Sequence, residues 1–231
     1  TTAVGTINFA DVDLTDTHTV SATPAAAGYL DTFTPSITNV STGDGAGTVT
    51  WNFAVNNAAL QYLAEGQTLT QIYTVTVADN HGGTVNQSVT ITITGTNDQP
   101  TLTIGDDAGD MNEGDSTATL TDSGALSFND LDTNDVVTVS QTSNDDISWS
   151  GGTLDAGVAT ALVAGFSVDQ NSWDYSSSQN LDFLSAGETI TFSFDVVATD
   201  NSGAGNDTSA PHTVTITITG TNDQPTLTIG D

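Results

Sequence analysis

VTITITGTNDQPTLTIGD, residues 89–106, returns letter for letter as residues 214–231. Within it Val89, Ile91 and Ile93 alternate with Thr90, Thr92 and Thr94. A period of two puts the aliphatic side chains on one face and the threonines on the other, which is a strand with one buried face. Glycine, asparagine, aspartate and proline then follow in GTNDQP, residues 95–100, and end it. A strand and its linker that recur unchanged define a repeat, and repeats set the architecture before any other feature.

Working outward, the other landmarks recur with nearly constant spacing. Phe9 in INFADVD matches Phe128 in LSFNDLD, an offset of 119. Trp51 matches Trp173 at 122, LQYLAEGQTLT from Leu60 matches LDFLSAGETIT from Leu181 at 121, and Asp79 matches Asp200. The final strand is offset by 125, so the differences in length fall between strands, where surface loops absorb them. TVTWNFAV, TLTQIYTVTV, TITFSFDVV and TVTITIT all alternate, and nothing beyond one turn near residues 58–63 predicts a helix. The reading is all-β: two tandem immunoglobulin-like Greek-key β-sandwiches. They span residues 1–98 and 99–223, with 224–231 opening a further copy. Trp51, Trp173, Tyr62 and Phe183 are expected in the cores.

Composition narrows the chemistry. The 231 residues contain no cysteine, no lysine and no arginine, against 29 aspartates and glutamates. Disulfides and thiolate metal sites are excluded. With no cation of its own, the chain leaves its carboxylates to water or to an external cation. Phosphate recognition needs Lys and Arg, so nucleic acid and anionic membrane surfaces are not expected partners. The longest small-apolar run, residues 159–166, is too short to cross a membrane.

Where the carboxylates stand matters more than their number. Asn97 and Asp98 lie in the linker and recur as Asn222 and Asp223. Asp11-Val12-Asp13 and Asp130-Leu131-Asp132 follow the first strand of each repeat, and Asp79 and Asp200 each close a long strand. In extended chain an Asp-x-Asp turns both side chains to one side, where they can converge on one ion. Calcium takes six to eight oxygen ligands, and carboxylates gathered without it would repel. Each motif alone is also ordinary turn chemistry; their recurrence at both repeat ends favours the ion. Aspartates 106, 107, 110, 145 and 146 lack such a frame and read as solvated.

The stretches GTINFADVDLTDTHTV and LAEGQTLTQIYTVTVADNHGGTVNQSVTITITGTNDQP resemble the VCBS repeat of very large bacterial adhesins, the RTX adhesins among them. GTNDQP also stands where cadherin repeats carry their Asn-Asp linker. That resemblance implies cadherin-like sandwiches joined by a short calcium-binding linker. It assigns Glu65, Asn97, Asp98, Asp130, Asp132 and Asp200 to the central junction. Glu113 would serve the next one with Asn222 and Asp223, while Asp11, Asp13 and Asp79 would face a preceding domain. Repeat two has Ala186 where repeat one has Glu65, with Glu188 nearby. The implied function is a structural extender of a secreted, cell-surface adhesin: a monomeric array whose partners are the neighbouring repeats, with Ca2+ as its only cofactor.

Two rivals remain. An enzyme is not expected: His18, His81 and His212 are not shared between repeats and show no nucleophile or zinc spacing. A calcium-dependent carbohydrate-binding module is the alternative, since repeat two carries an extra tryptophan, Trp149, in SNDDISWSGG. Its bland reading is a longer hairpin whose tryptophan covers the sandwich edge.

Overall fold

The computed structural model describes residues 1–114 and 118–227. Two compact units emerge, one of residues 1–97 with Asp132–Asn134, the other of residues 98–131 with 135–231. The opening of a further copy, called at residues 224–231, falls in part on 228–231, outside the described residues.

The first unit holds strands β1 (Thr2–Ala10), β2 (Thr19–Pro24), β3 (Thr32–Asn39), β4 (Ala46–Ala54), β5 (Thr68–Ala78) and β6 (Thr84–Thr94). A single 3-10 turn, Asn57–Ala59, lies between β4 and β5. Two antiparallel sheets form, in the orders β1-β4-β3 and β2-β5-β6. Their inner faces supply one core that includes Val49, Phe53, Leu60, Leu63, Tyr73, Val75, Ile91 and Ile93.

The second unit holds β7 (Thr101–Ile104), β8 (Ala108–Asn112), β9 (Leu120–Asn129), β10 (Thr138–Ser143), β11 (Ser148–Trp149), helix α1 (Ala156–Val163), β12 (Phe166–Val168), β13 (Ser172–Ser177), β14 (Thr189–Thr199) and β15 (His212–Thr219). Its sheets run β12-β13-β9-β7 and β10-β14-β15-β8, with β11 beside β14. β8 is parallel to β15. The β1–β6 frame of the first unit is repeated as β9, β10, β12, β13, β14 and β15, and the fold is an all-β sandwich in each.

The tryptophans explain one detail of the sequence. Gly5 in β1 and Gly124 in β9 each face the indole on the paired strand, Trp51 and Trp173, and a Cβ at either glycine would overlap that ring. Beside the indoles runs an aromatic stack common to both cores. Phe33 lies on Tyr73 with centroids 4.4 Å apart, and Phe166 lies on Phe194 at 4.1 Å.

Two readings are corrected. Tyr62 and Phe183 are exposed at 38% and 42%, not core. Each sits in a short turn whose inward positions are three apart, Leu60 with Leu63 and Leu181 with Leu184, all buried. The residue between them must point out. Helix α1 was also unread. Asp155 caps it by accepting from the N–H of Gly157 and Val158, and Leu162 inserts fully into the core. Its run of alanine and valine carries no alternation and too little polar residue to show a helical period.

Candidate metal centre

In the second unit the chain leaves β9 at Asn129 and turns through Asp130–Asp135 before β10 begins. β14 ends at Thr199, so Asp200 is the first residue beyond it. Asp130, Asp135 and Asp200 each bring one carboxylate oxygen to a common point, all within 4.8 Å of one another. Asp200 is buried and the other two half-buried. One Asp200 oxygen also accepts from the N–H of Ser202 at 2.8 Å, which fixes its orientation. Burial pushes the Asp135 carboxyl above its ordinary value, and the charges of Asp200 and Asp130 push it further the same way. Asp135 Oδ2 is buried and accepts no hydrogen bond among the described residues.

The third member of this group is one the sequence reading did not name. Asp135 was passed over, and Asp132, buried at 2%, is not among the three. The signal was present: both repeats read Asp-x-Asp-x-x-Asp, with Asp16 standing where Asp135 stands in repeat two. The chain here is a turn rather than a strand, so it is the first and third aspartates that converge.

The donor set fits a hard divalent cation. It consists of carboxylate oxygens alone, with neither sulfur nor nitrogen, which is the chemistry of calcium rather than of zinc or copper. Three carboxylates this close, one held above its usual range, gain most from a cation that neutralises them.

The other sequence-assigned residues distribute as follows. In the first unit Glu65 Oε2 accepts from the backbone N–H of Asn97 at 3.0 Å, and Asn97 is buried at 8%. Asp98 is half-buried at the start of the second unit. Glu113, 3% exposed, accepts from the Thr221 N–H at 2.9 Å through Oε1, while its Oε2 is buried without a hydrogen-bond partner among the described residues. Thus a glutamate accepts a backbone N–H of the linker in each repeat, from different loops and at neighbouring positions. Asn222 and Asp223 are exposed and line a recess of about 220 Å³ with Phe183 and Ala186.

The corresponding acidic end of the first unit is built from the same positions but closed by histidines. Asp11 Oδ1 accepts from the Asp13 N–H, and Asp11 Oδ2 meets His18 Nε2 at 2.9 Å. The His18 side chain is 5% exposed, and its Nδ1 lies 3.2 Å from Ser41 Oγ. Asp16 Oδ2 meets His81 Nδ1 at 3.2 Å. The N–H of His81, and after it those of Gly83 and Gly82, hold the Asp79 carboxyl below its ordinary value, although burial opposes them. Asp13 is exposed.

Trp149 occupies β11, half-buried against the second core, with Nε1 donating to Glu188 Oε2 at 3.3 Å. Its ring meets Phe183 edge-on. The indole is an edge cover in this arrangement. Among the described residues no helix is long and apolar enough to cross a membrane.

No protein-family model matches the chain. A search of curated proteins finds no match either. Among solved structures it is similar to the Escherichia coli adhesin CfaE, at 11% identity and TM-score 0.39 over 78% of this chain and 64% of that one. It is similar to Drosophila N-cadherin EC1-4 at 14% and 0.38, over 92% of this chain and 44% of that one. The human desmocollin-1 ectodomain gives 11% and 0.37, over 83% and 35%. This chain therefore spans under two thirds of the length of each of these neighbours.

Proposed function

We propose that this chain is a pair of calcium-stiffened extender repeats from a large secreted bacterial surface adhesin, acting outside the cell to hold a distal binding domain away from the surface. The observation that carries the reading is the gathering of Asp130, Asp135 and Asp200 into one oxygen-only cluster, in a chain without a single lysine or arginine to neutralise it. These residues would hold the ion. Calcium supplies charge neutralisation and a rigid coordination shell. The chain's part is to present oxygens at fixed spacing: Asp200 through its bond to Ser202, and the linker through the grip of Glu65 on Asn97.

Ion binding to the folded state alone stabilises it by mass action, about 1.4 kcal/mol at ten times the dissociation constant. A dissociation constant of order 10⁻⁴ M, ordinary for extracellular calcium modules, would be exceeded in millimolar calcium. At the far lower calcium inside a cell the chain would stay pliant, which suits export. The fold, the absence of His and Cys from the cluster, and the lack of any shared histidine between repeats favour this role over catalysis. The carbohydrate-binding alternative rested on Trp149, whose N–H and ring edge are both taken up by Glu188 and Phe183.

Small-angle scattering of the chain with calcium and with excess chelator tests the reading. A longer, narrower particle in calcium, lost in the Asp130→Asn/Asp135→Asn/Asp200→Asn variant, is the expected result. Identical profiles and identical melting in both conditions would sink it.

A further inference from the structure

The connection between the second and third strands of the shared frame differs most in length between the repeats. In the second unit residues 144–165 join β10 to β12 and carry both β11 and α1. Leu162 of that helix, four residues before Phe166, is fully buried in the core. In the first unit only residues 25–31 join β2 to β3, and they hold no helix. Tyr29 stands four residues before Phe33 and is half-buried. The second repeat fills this part of its sandwich with its own chain. The first keeps a cleft there of about 370 Å³, a volume suited to a small molecule.

Tyr29, Phe33 and Tyr73 give the cleft its aromatic lining, Tyr73 only 4% exposed and the other two half-buried. Asp31 is exposed and is the one charged residue of the lining. Its φ is +57°, a left-handed conformation that aspartate tolerates better than most residues. Burial raises the Tyr73 phenol above its ordinary value, and Tyr29 and Asp31 raise it further, so the Asp31 charge is felt at the floor. The loop is tied to β5. Ala25 N–H donates to Ile72 O at 2.9 Å, and Ile72 N–H donates to Tyr29 Oη at 3.2 Å. Gln71, 1% exposed where the second repeat has Phe192, holds Leu30. In the orientation that satisfies both neighbours its amide accepts from the Leu30 N–H at 3.0 Å and donates to the Leu30 carbonyl at 3.2 Å. The cleft is formed before anything enters it, so little binding energy is lost to ordering the loop.

We propose that this cleft binds a small organic cation with an apolar body, an alkyl- or arylalkylammonium ion. The body lies against Tyr29, Phe33 and Tyr73, and the ammonium group meets the Asp31 carboxylate. Aromatic rings with a carboxylate at hand are the chemistry of ammonium recognition. Three observations select this class. The second repeat gives the matching space to an aliphatic side chain, Leu162, so apolar matter belongs in it. The only charge of the lining is negative, and the chain has no lysine or arginine to answer it. The lining has no amide, imidazole or guanidinium side chain to orient a ring of hydroxyls, which disfavours a sugar. The site gives the first repeat a ligand of its own and does not depend on calcium at Asp130, Asp135 and Asp200.

Amide-resolved NMR titration of the full chain tests this, in excess calcium so that acidic groups elsewhere do not compete for the probe. Phenethylammonium is expected to shift the amides of Ala22, Tyr29, Asp31 and Phe33 saturably. Its neutral isostere 2-phenylethanol should bind about fivefold more weakly, and the anion 3-phenylpropionate should not bind. Asp31→Asn keeps a residue suited to left-handed backbone and should bring phenethylammonium to the affinity of the alcohol. Ala22→Leu, which fills the cleft, should remove binding; if that variant fails to fold, Asp31→Asn and the alcohol decide. Shifts that never saturate, or that gather around Asp11 and Asp79 instead, overturn the site. Equal binding of the alcohol or of methyl glucoside overturns the assigned class, and an Asp31→Asn chain that binds the ammonium ion undiminished does the same.

Discussion

The acidic ends of the two repeats start from the same aspartates and finish as different devices. In the second, Asp130, Asp135 and Asp200 each bring a carboxylate oxygen within 4.8 Å of the other two. In the first, His18 meets Asp11 and His81 meets Asp16, so two of the three carboxylates have an imidazole against them. Val137 and Ser202 stand where those histidines stand. Two substitutions per end thus separate carboxylates gathered with one another from carboxylates that each meet an imidazole. Conserving ligand positions is not the same as conserving a site.

The comparison can be broken most forcefully by removing the second cluster. Between chelator and calcium at ten times the dissociation constant, the chain should gain about 1.4 kcal/mol, or roughly 5 °C in the second unit's melting transition. The Asp130→Asn/Asp135→Asn/Asp200→Asn variant should gain nothing, while Asp11→Asn/Asp16→Asn/Asp79→Asn should retain the gain. Calorimetry showing the reverse assignment would overturn the contrast.

Exchanging the histidines sharpens it. His18→Val with His81→Ser gives the first end the second's residues and should add a calcium-dependent shift of up to about 1 kcal/mol there, seen as a new heat in titration calorimetry. Val137→His should weaken binding at the second end by engaging Asp130.

A smaller effect isolates repulsion. Asp135→Asn should raise the melting temperature in chelator by about 1–2 °C, since it removes one of three facing charges in a partly solvated site, and should abolish the benefit of calcium. A fall in both conditions would make Asp135 a structural hydrogen-bonding residue instead.

The smallest expected effect is one of sign. Asp135 is raised, so the stability linked to its protonation is present at acid pH and lost as pH rises through its folded value. Asp79 is lowered, so its contribution is present at neutral pH and lost as pH falls through its folded value. In chelator between pH 6 and 3, Asp135→Asn and Asp79→Asn should therefore change the pH slope of melting in opposite directions. Slopes that move together would mean the two carboxyls share one environment.

Much of this was legible in the residues. The identical strand revealed repeat and face: Val89, Ile91 and Ile93 are buried, and the threonines between them exposed. Trp173 could be placed in the core because a large aromatic in an alternating strand has nowhere else to go. Tyr62 and Phe183 could not, because a one-turn element carries no period and Leu60 and Leu63 already fill its inner side. At the site, sequence named Asp130 and Asp200 together with Asp132, and it missed Asp135, whose carboxylate the turn after β9 brings to the other two. The histidines' part in the first end was invisible for a different reason. It depends on His81, from the loop after β5, reaching Asp16, from the loop after β1, and no linear spacing reports such a meeting.

The parallel pairing of β8 with β15 has a mechanical consequence. On the proposed extender reading, tension would enter the second repeat upstream of β8 and leave it beyond β15. Pulled from opposite ends, two parallel strands slide along one another, so the bonds between them are loaded together in shear and must fail as a group. A hairpin opened from its tip would instead unzip one bond at a time. With β8 on β15, the second repeat would meet such a load with a weave of backbone bonds that share it.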